Sequence, residues 1–273
     1  MQRSILIRQK KGGVGKSALA VALENALTAA GVTMRLVDAD TPEDDAAGGA
    51  SLSGVFGERV HRFTINPAAW AVEEDPNALR LHWFPLCEAI MQGGALVDFG
   101  ANTNTAFDAA LREGGWGEDF AAAGVPLSVV IPVTTNPEAL KGGIQGIAAT
   151  REILPSAQIV VALVGKEKPF SAFAGNPLFA PLLAERDRGV AFIDIPRCIS
   201  TLWQPIELAG IDFATAIRAA LADPDGFGQR IGLSRQEVRL GVSKLASWYE
   251  HVGKELAAVG LVPAAAKSKA KAN

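Results

Sequence analysis

The chain has 273 residues, 49% apolar and 20% charged, which is the composition of a globular protein and excludes a disordered or fibrous one. Its 26 basic and 29 acidic residues give a net charge of −3, so no basic field covers the whole molecule to attract nucleic acid. The two cysteines, Cys87 and Cys198, form no C-x-x-C pair, which excludes a disulfide scaffold or zinc ribbon. We expect a cytoplasmic protein, because the sequence shows neither a secretory signal nor a transmembrane run.

Short apolar runs rich in Val, Ile and Leu recur along the chain without polar alternation, as is typical of strands buried on both faces. They predict strands at residues 5–7, 34–37, 95–97, 127–133, 159–164 and 190–195. Helical periodicity lies between them, most clearly where Leu19, Leu23 and Leu27 repeat ahead of a helix-ending Gly31. The alternation predicts an α/β fold: a doubly wound, mainly parallel sheet flanked by helices.

The sequence also predicts how the chain is divided into a domain and a tail. Residues 1–262 contain no linker or repeat and are predicted to form a single domain. Residues 263–273 combine lysines with small residues and lack large apolar side chains, so we expect a disordered tail.

A glycine-rich loop, Lys-Lys-Gly-Gly-Val-Gly-Lys-Ser at residues 10–17, joins the first predicted strand to the first predicted helix. Glycines let backbone N–H groups close around phosphate oxygens, and the helix N-terminus adds positive charge. A bare glycine-rich turn with solvated lysines is the alternative, but the strand–loop–helix context favours a phosphate loop. The predicted nucleotide-binding residues here are Lys11, Gly12, Gly13, Val14, Gly15, Lys16, Ser17 and Ala18, with Lys16 on the β- and γ-phosphates and Ser17 also on Mg²⁺.

Lys10 stands where the ordinary phosphate-loop motif has glycine, and a second lysine follows it. Residues 11–17 resemble the deviant Walker A box of the ParA/MinD family of ATPases. The resemblance implies ATP and Mg²⁺ as cofactors and a homodimer formed on ATP binding. It also implies a catalytic role for Lys11, which would reach the partner's phosphates in trans, as arginine fingers do in other nucleotide hydrolases.

Two further segments place carboxylates where strands should end. Asp38 and Asp40 follow the second predicted strand, and Asp98 follows the third. Because the carboxyl ends of parallel strands collect ligands, we predict Asp38 and Asp98 as Mg²⁺ ligands with Ser17. The resemblance implies that Asp40, the second aspartate of Asp-x-Asp, serves hydrolysis. Turn capping is the alternative for both aspartates of the pair, and residues 41–42 depart from the family's Pro-Gln.

Segments around Glu138 and around Pro196 and Arg197 also resemble the ParA family, which extends the resemblance to about residue 220. Pro196 and Arg197 are predicted neighbours of the nucleotide base. Gly165 and Lys166 stand where the family often has an asparagine after the strand, so adenine contacts are not transferred to that position.

The C-terminal region begins a helix at a capping box of Ser234 and Glu237. Apolar residues then follow at alternating spacings of four and three, which indicates a face packed on the sheet domain or, alternatively, on a partner. This face comprises Val238, Val242, Leu245, Tyr249, Val252, Leu256 and Val259. Residues 238–243 also allow a weaker helix-turn-helix interpretation. A basic surface of Arg218, Arg230, Arg235, Arg239 and Lys244 is a candidate for nonspecific DNA binding.

Together these features predict a slow, partner-stimulated ATPase that switches between monomer and dimer in plasmid partition, stability or conjugative mobilisation. The expected partner protein is an adaptor, a centromere-binding protein or a relaxosome component, and no membrane role is expected because the tail lacks a bulky apolar face. Two alternatives stay open: a metabolic or metal-handling enzyme of the same fold, and an ATP-sensing module with negligible turnover. The three histidines, His61, His82 and His251, have no metal-ligand spacing.

Overall fold

A single sheet of seven parallel strands organises the computed structural model, which describes residues 1–40, 51–64, 76–166, 169–173 and 175–263. The strand order is β3-β2-β4-β1-β5-β6-β7. The strands are β1 (Ser4–Ile7), β2 (Arg35–Ala39), β3 (Val60–Arg62), β4 (Ala95–Phe99), β5 (Leu127–Val133), β6 (Gln158–Val164) and β7 (Ala191–Ile195). The predicted fold class is therefore confirmed.

Six of the strands were predicted, each within about two residues of its observed bounds. The seventh, β3, was missed because it is a three-residue edge strand and two of its residues, His61 and Arg62, are exposed. It pairs with β2 alone, from Leu36 opposite Val60 to Asp38 opposite Arg62. A strand this short and polar contains no apolar run from which the sequence could predict it.

Helices cover both faces of the sheet. Those that precede β5 are α1 (Lys16–Ala29), α2 (Leu52–Phe56), α3 (Pro76–Met91), α4 (Asn104–Gly114) and α5 (Trp116–Ala122). Those that follow β5 are α6 (Pro137–Ile153), α7 (Ala180–Leu183), α8 (Trp203–Leu208), α9 (Phe213–Ala222), α10 (Pro224–Ile231) and α11 (Arg235–Ala258). Short 3₁₀ turns lie at Gly57–Arg59, Phe170–Phe173 and Ala184–Arg188.

The strands bury side chains on both faces, and the two cores differ in the helices that close them. On one face Leu6 of β1 belongs to a cluster that includes residues of α3, α4 and α6. On the other, Ile5 and Ile7 belong to a cluster with α1 and the helices from α8 to α11. This burial on both faces explains why the strands read as continuous apolar runs.

The C-terminal helix α11 has the predicted capping box. The Glu237 N–H donates a hydrogen bond to the Ser234 hydroxyl, and the Glu237 carboxylate accepts one from the Ser234 N–H. Its apolar face packs on the sheet domain, as predicted, through contacts with β7, α1, α9 and α10. Trp248 is buried in this face, whereas Tyr249 is half-buried.

The helix-turn-helix interpretation of residues 238–243 is wrong, because α11 runs through them without interruption. Gly241 is instead a point of close approach. A Cβ there would lie 2.5 Å from the Thr201 Oγ1 atom and 2.8 Å from Leu202 Cγ. The Ser200 hydroxyl donates a 2.7 Å hydrogen bond to the Gly241 carbonyl, which fixes the segment after β7 against the helix.

Within the described ranges, no helix combines the length and apolar character needed to cross a membrane. Residues 264–273 of the predicted tail and residues 41–42, where the sequence departs from the family pattern, lie outside the described residues.

Candidate nucleotide-binding site

The glycine-rich loop follows β1, and its last two residues, Lys16 and Ser17, are the first residues of α1. Gly13 and Gly15 have φ angles of 72° and 89°, a left-handed conformation that side chains disfavour. Gly15 is the N-cap residue of α1 and provides no side-chain cap. The N-terminus of α1 therefore has no side-chain cap, and the helix dipole favours an anion there.

Lys11 lies at the side of the loop nearest α6. Its ammonium group is 2.7 Å from Glu138 Oε2, in a contact where 41% of the lysine and 71% of the glutamate side chain are exposed. Gln9 anchors this part of the loop, since its amide donates to the Pro132 and Ala139 carbonyls. The hydrogen bond from Lys11 holds the pKa of Glu138 below its usual value. The second lysine is therefore held by an exposed ion pair, a kind of contact that contributes little stability.

Asp98 is the penultimate residue of β4 and lies in the same row as Ile7 of β1 and Asp38 of β2, so the carboxyl ends of three strands meet beside the loop. Burial raises the pKa of Asp98 to about 7, and the negative charge of Asp38 adds to this. A hydrogen bond from Ser17 and the positive charge of Lys16 act in the opposite direction. The structure therefore brings together Lys16, Ser17, Asp38 and Asp98, as the sequence predicted.

Asp38 and Asp40 differ in their surroundings. The Asp38 carboxylate accepts hydrogen bonds from the N–H (3.1 Å) and hydroxyl (2.6 Å) of Ser53, at the start of α2. Asp40 follows Ala39, whose carbonyl accepts a 2.9 Å hydrogen bond from Gly100 N–H beyond Asp98. Asp40 is thus at the same sheet edge, half-buried, while its predicted role stays a prediction.

The residues present fit a phosphate-bound divalent cation. The Oδ1 atom of Asp98 is buried and has no hydrogen-bond partner among the described residues. A buried, unpaired carboxylate oxygen is costly, and a hard cation with oxygen ligands would relieve that cost. Ser17 already bonds to the same carboxylate, so a hydroxyl and a carboxylate converge beneath the loop.

A cavity of about 340 Å³ adjoins the start of α1. Its lining includes the predicted base neighbours Pro196 and Arg197 together with Gly15 and Ala18, so the structure brings these four residues together. Cys198, Trp203, Glu207 and Trp248 also line it and were not predicted. They come from a half-exposed loop and from helices whose apolar periodicity indicated only packing.

Lys166, which stands where the family pattern often has asparagine, donates a 3.1 Å hydrogen bond from its ammonium group to the Gly13 carbonyl. This hydrogen bond connects the segment after β6 to the phosphate loop. This contact could not be predicted from the sequence, because a lysine after a strand is most often a solvated side chain.

A buried network ties the loop to the segment after Asp98. Arg8, directly after β1, forms an ion pair with Asp108 of α4 and donates a 3.2 Å hydrogen bond to Asn104 Oδ1. Asn104 in turn donates to the Gly100 carbonyl at 2.8 Å. The Arg8 guanidinium also lies 5.5 Å from the centre of the Phe107 ring. Sequence reasoning missed this network, whose members lie about a hundred residues apart.

The described histidines and cysteines form no metal site: within these ranges no three His, Cys, Asp or Glu side chains cluster as ligands. Cys87 is buried in the core on one face of the sheet, and Cys198 packs on the other. The iron–sulfur version of the metal-handling alternative therefore lacks a cysteine pair in this chain.

The chain thus has a seven-stranded parallel sheet in the order β3-β2-β4-β1-β5-β6-β7, with the glycine-rich loop between β1 and α1. Among solved structures, the chain is similar to the MinD cell division protein of Aquifex aeolicus, at 15% identity and a TM-score of 0.46, over 87% of this chain and 95% of that one. It is also similar to an ATP complex of a Cyanothece McdA variant, at 13% identity and a TM-score of 0.45, over 85% and 97% of the two chains.

A cobyrinic acid a,c-diamide synthase from Mycobacterium smegmatis, with bound ADP and magnesium, is similar at 18% identity and a TM-score of 0.37, over 82% of this chain and 96% of that one. No protein-family model matches the sequence, and no curated protein matches it.

Proposed function

We propose that the chain is an ATPase that binds ATP with Mg²⁺ and switches from a monomer to an ATP-bound homodimer. The observation that carries the proposal is the convergence of Lys16, Ser17 and a buried, incompletely bonded Asp98 beneath a glycine loop that also bears Lys11.

Each residue of the site has a chemical role that follows from its position. The backbone of residues 11–18 and the Lys16 side chain bind the phosphates. Ser17, Asp38 and Asp98 would hold Mg²⁺, which would supply positive charge beside the transferred phosphoryl group. Asp40 orients the attacking water at the same sheet edge.

Lys11 has the second catalytic role. Its half-exposed ammonium group is held by Glu138 alone among the side-chain contacts of the described chain, and this contact is on the surface. In an ATP dimer Lys11 would leave Glu138 and stabilise the charge on the partner's phosphates. Cations supplied in this way accelerate related hydrolases by about 10³- to 10⁵-fold.

The biological setting follows the same proposal: plasmid partition, stability or conjugative mobilisation in the cytoplasm, with hydrolysis stimulated by a partner protein. Nonspecific DNA binding is supported by the predicted basic residues of α9, α10 and α11, all of which are exposed. Arg235 is paired with Asp225 at 2.9 Å, so it contributes less to that surface than the others.

The test separates the two lysines. Lys16→Ala should abolish binding of labelled ATP, because it removes the charge on the β- and γ-phosphates. Lys11→Ala should bind ATP normally and lose dimerisation or hydrolysis. Normal ATP binding by the Lys16 variant would overturn the assignment of the loop, and ATP binding without any hydrolysis in the wild-type chain would favour the sensing module.

A further inference from the structure

The cavity next to the phosphate loop contains a carboxylate that the proposed function does not use. Glu207 lies in the last turn of α8, and its side chain lines the cavity with Ala18 of α1 and Pro196 after β7. At about 340 Å³ the cavity is in the range of small-ligand pockets, and it opens beside the N-terminus of α1. A nucleotide held by the loop would place its base here.

The position of Glu207 is fixed by an aromatic cluster. Trp203, one helical turn earlier on the same face of α8, stacks on Phe213 with ring centres 5.1 Å apart. It also meets the Trp248 ring edge-on at 4.9 Å. Ile206, the residue directly before Glu207, is fully buried. The carboxylate is therefore presented by a packed turn rather than by a mobile loop.

Two other polar side chains of the cavity are already engaged. Lys166 donates to the Gly13 carbonyl, and the Trp248 indole donates a 2.7 Å hydrogen bond to the Pro196 carbonyl. The Glu207 carboxylate, by contrast, has no hydrogen bond or ion pair with any other residue in the described ranges. It is an acceptor without a donor, at the place where the base would lie.

We propose that Glu207 selects the nucleotide base by accepting a hydrogen bond from the 6-amino group of adenine, an inference that rests on the proposed ATP binding. A carboxylate is acceptor-only, so it pairs with the amino group of adenine and repels the O6 acceptor that guanine has at the same ring position. A site that hydrogen-bonds a ligand N–H discriminates strongly against analogues that lack it.

The experiment compares ATP with purine riboside triphosphate, which lacks the 6-amino group, and with GTP, by competition against a fluorescent ATP analogue. The wild-type chain should prefer ATP to the deaminated analogue by about ten- to a hundredfold, the range for a hydrogen bond to a charged group. Glu207→Ala should reduce this ratio to near one. Glu207→Gln should keep part of it, because its amide oxygen still accepts.

Glu113→Ala is the matched control, since Glu113 is an exposed carboxylate of α4, the helix that covers the opposite face of the sheet. An unchanged ratio in Glu207→Ala, or no wild-type preference for ATP over the deaminated analogue, would overturn the inference while leaving ATP binding intact. A preference for GTP that Glu207→Ala abolishes would also overturn it, by assigning the carboxylate to guanine. Failure of all three triphosphates to bind would instead overturn the proposed function and this inference with it.

The location of the base has an independent readout in Cys198. It lines the cavity and is half-buried, whereas Cys87 is fully buried, so a maleimide at pH 8.5 should label Cys198. ATP should slow the labelling, and inorganic triphosphate, which fills the loop without a base, should not. Equal protection by both would place the base outside this cavity and overturn the inference.

Discussion

Replacement of Asp98 by asparagine should stabilise the nucleotide-free chain, although it removes a metal ligand. Burial and the neighbouring Asp38 raise the pKa of Asp98 from 3.8 to about 7. Ionising this carboxyl is therefore harder in the folded than in the unfolded chain, and the raised pKa makes folding less favourable as the pH rises from about 4 through 7. The cost is on the order of 4 kcal/mol at pH 8 and clearly smaller at pH 5.

Asparagine avoids this cost because it cannot ionise, and it can still accept the hydrogen bond from Ser17. The assay is urea unfolding in EDTA at both pH values, with Glu113→Gln as an exposed control. The free energy of unfolding should rise for Asp98→Asn by up to about 4 kcal/mol at pH 8, and by clearly less at pH 5. Equal changes at the two pH values, or destabilisation at pH 8, would refute the account of Asp98 as a carboxyl whose ionisation is opposed by burial.

Three further predictions use matched pairs of sites. Gly241→Ala should lower the free energy of unfolding by about 1–3 kcal/mol, because its Cβ would clash with Thr201. Gly253→Ala, whose Cβ would have nothing within 4 Å, should raise it by up to about 1 kcal/mol. Thermal unfolding measures both changes, and changes of the same sign would contradict the close packing of α11 at Gly241. Asp108→Asn leaves its buried arginine partner unpaired and should cost about 3–5 kcal/mol, whereas Glu152→Gln, in an exposed pair, should have little effect in the same assay. Glu138→Gln releases the second lysine of the loop and should lower the ATP concentration that half-saturates dimerisation by at most about fivefold; a higher requirement would contradict the view that this ion pair holds the lysine in the monomer.

The parts of the fold predictable from sequence were those with a local signal. Strands buried on both faces, such as β5, show continuous apolar runs, and the loop at residues 10–17 combines glycines, lysines and a strand–helix context. The capping box at Ser234 fixed the start of α11 to the residue. Short-range chemistry was sufficient in each of these cases.

The rest depends on contacts between distant segments. The Arg8–Asp108 pair joins residues about a hundred positions apart, and neither partner differs in sequence from an ordinary surface charge. Glu207 and Trp203 reach the cavity only because α8 packs beside Trp248 of α11, a tertiary arrangement that helical periodicity does not specify. The weaker helix-turn-helix interpretation of residues 238–243 was wrong because Gly241 lies inside α11, where the side chains of Thr201 and Leu202 approach too closely for a Cβ.

The central claim, an ATP-dependent dimer, is tested most directly by the solution mass of an Asp40→Ala variant, because this substitution should stall hydrolysis and accumulate the ATP state. Light scattering with Mg²⁺ and ADP should give the 28.5 kDa of one chain, and with Mg²⁺ and ATP about twice that mass. The same variant carrying Lys11→Ala as well should stay at the mass of one chain with either nucleotide. An unchanged mass with ATP demonstrably bound would contradict the switch and would make Lys11 a local phosphate contact in a monomeric enzyme.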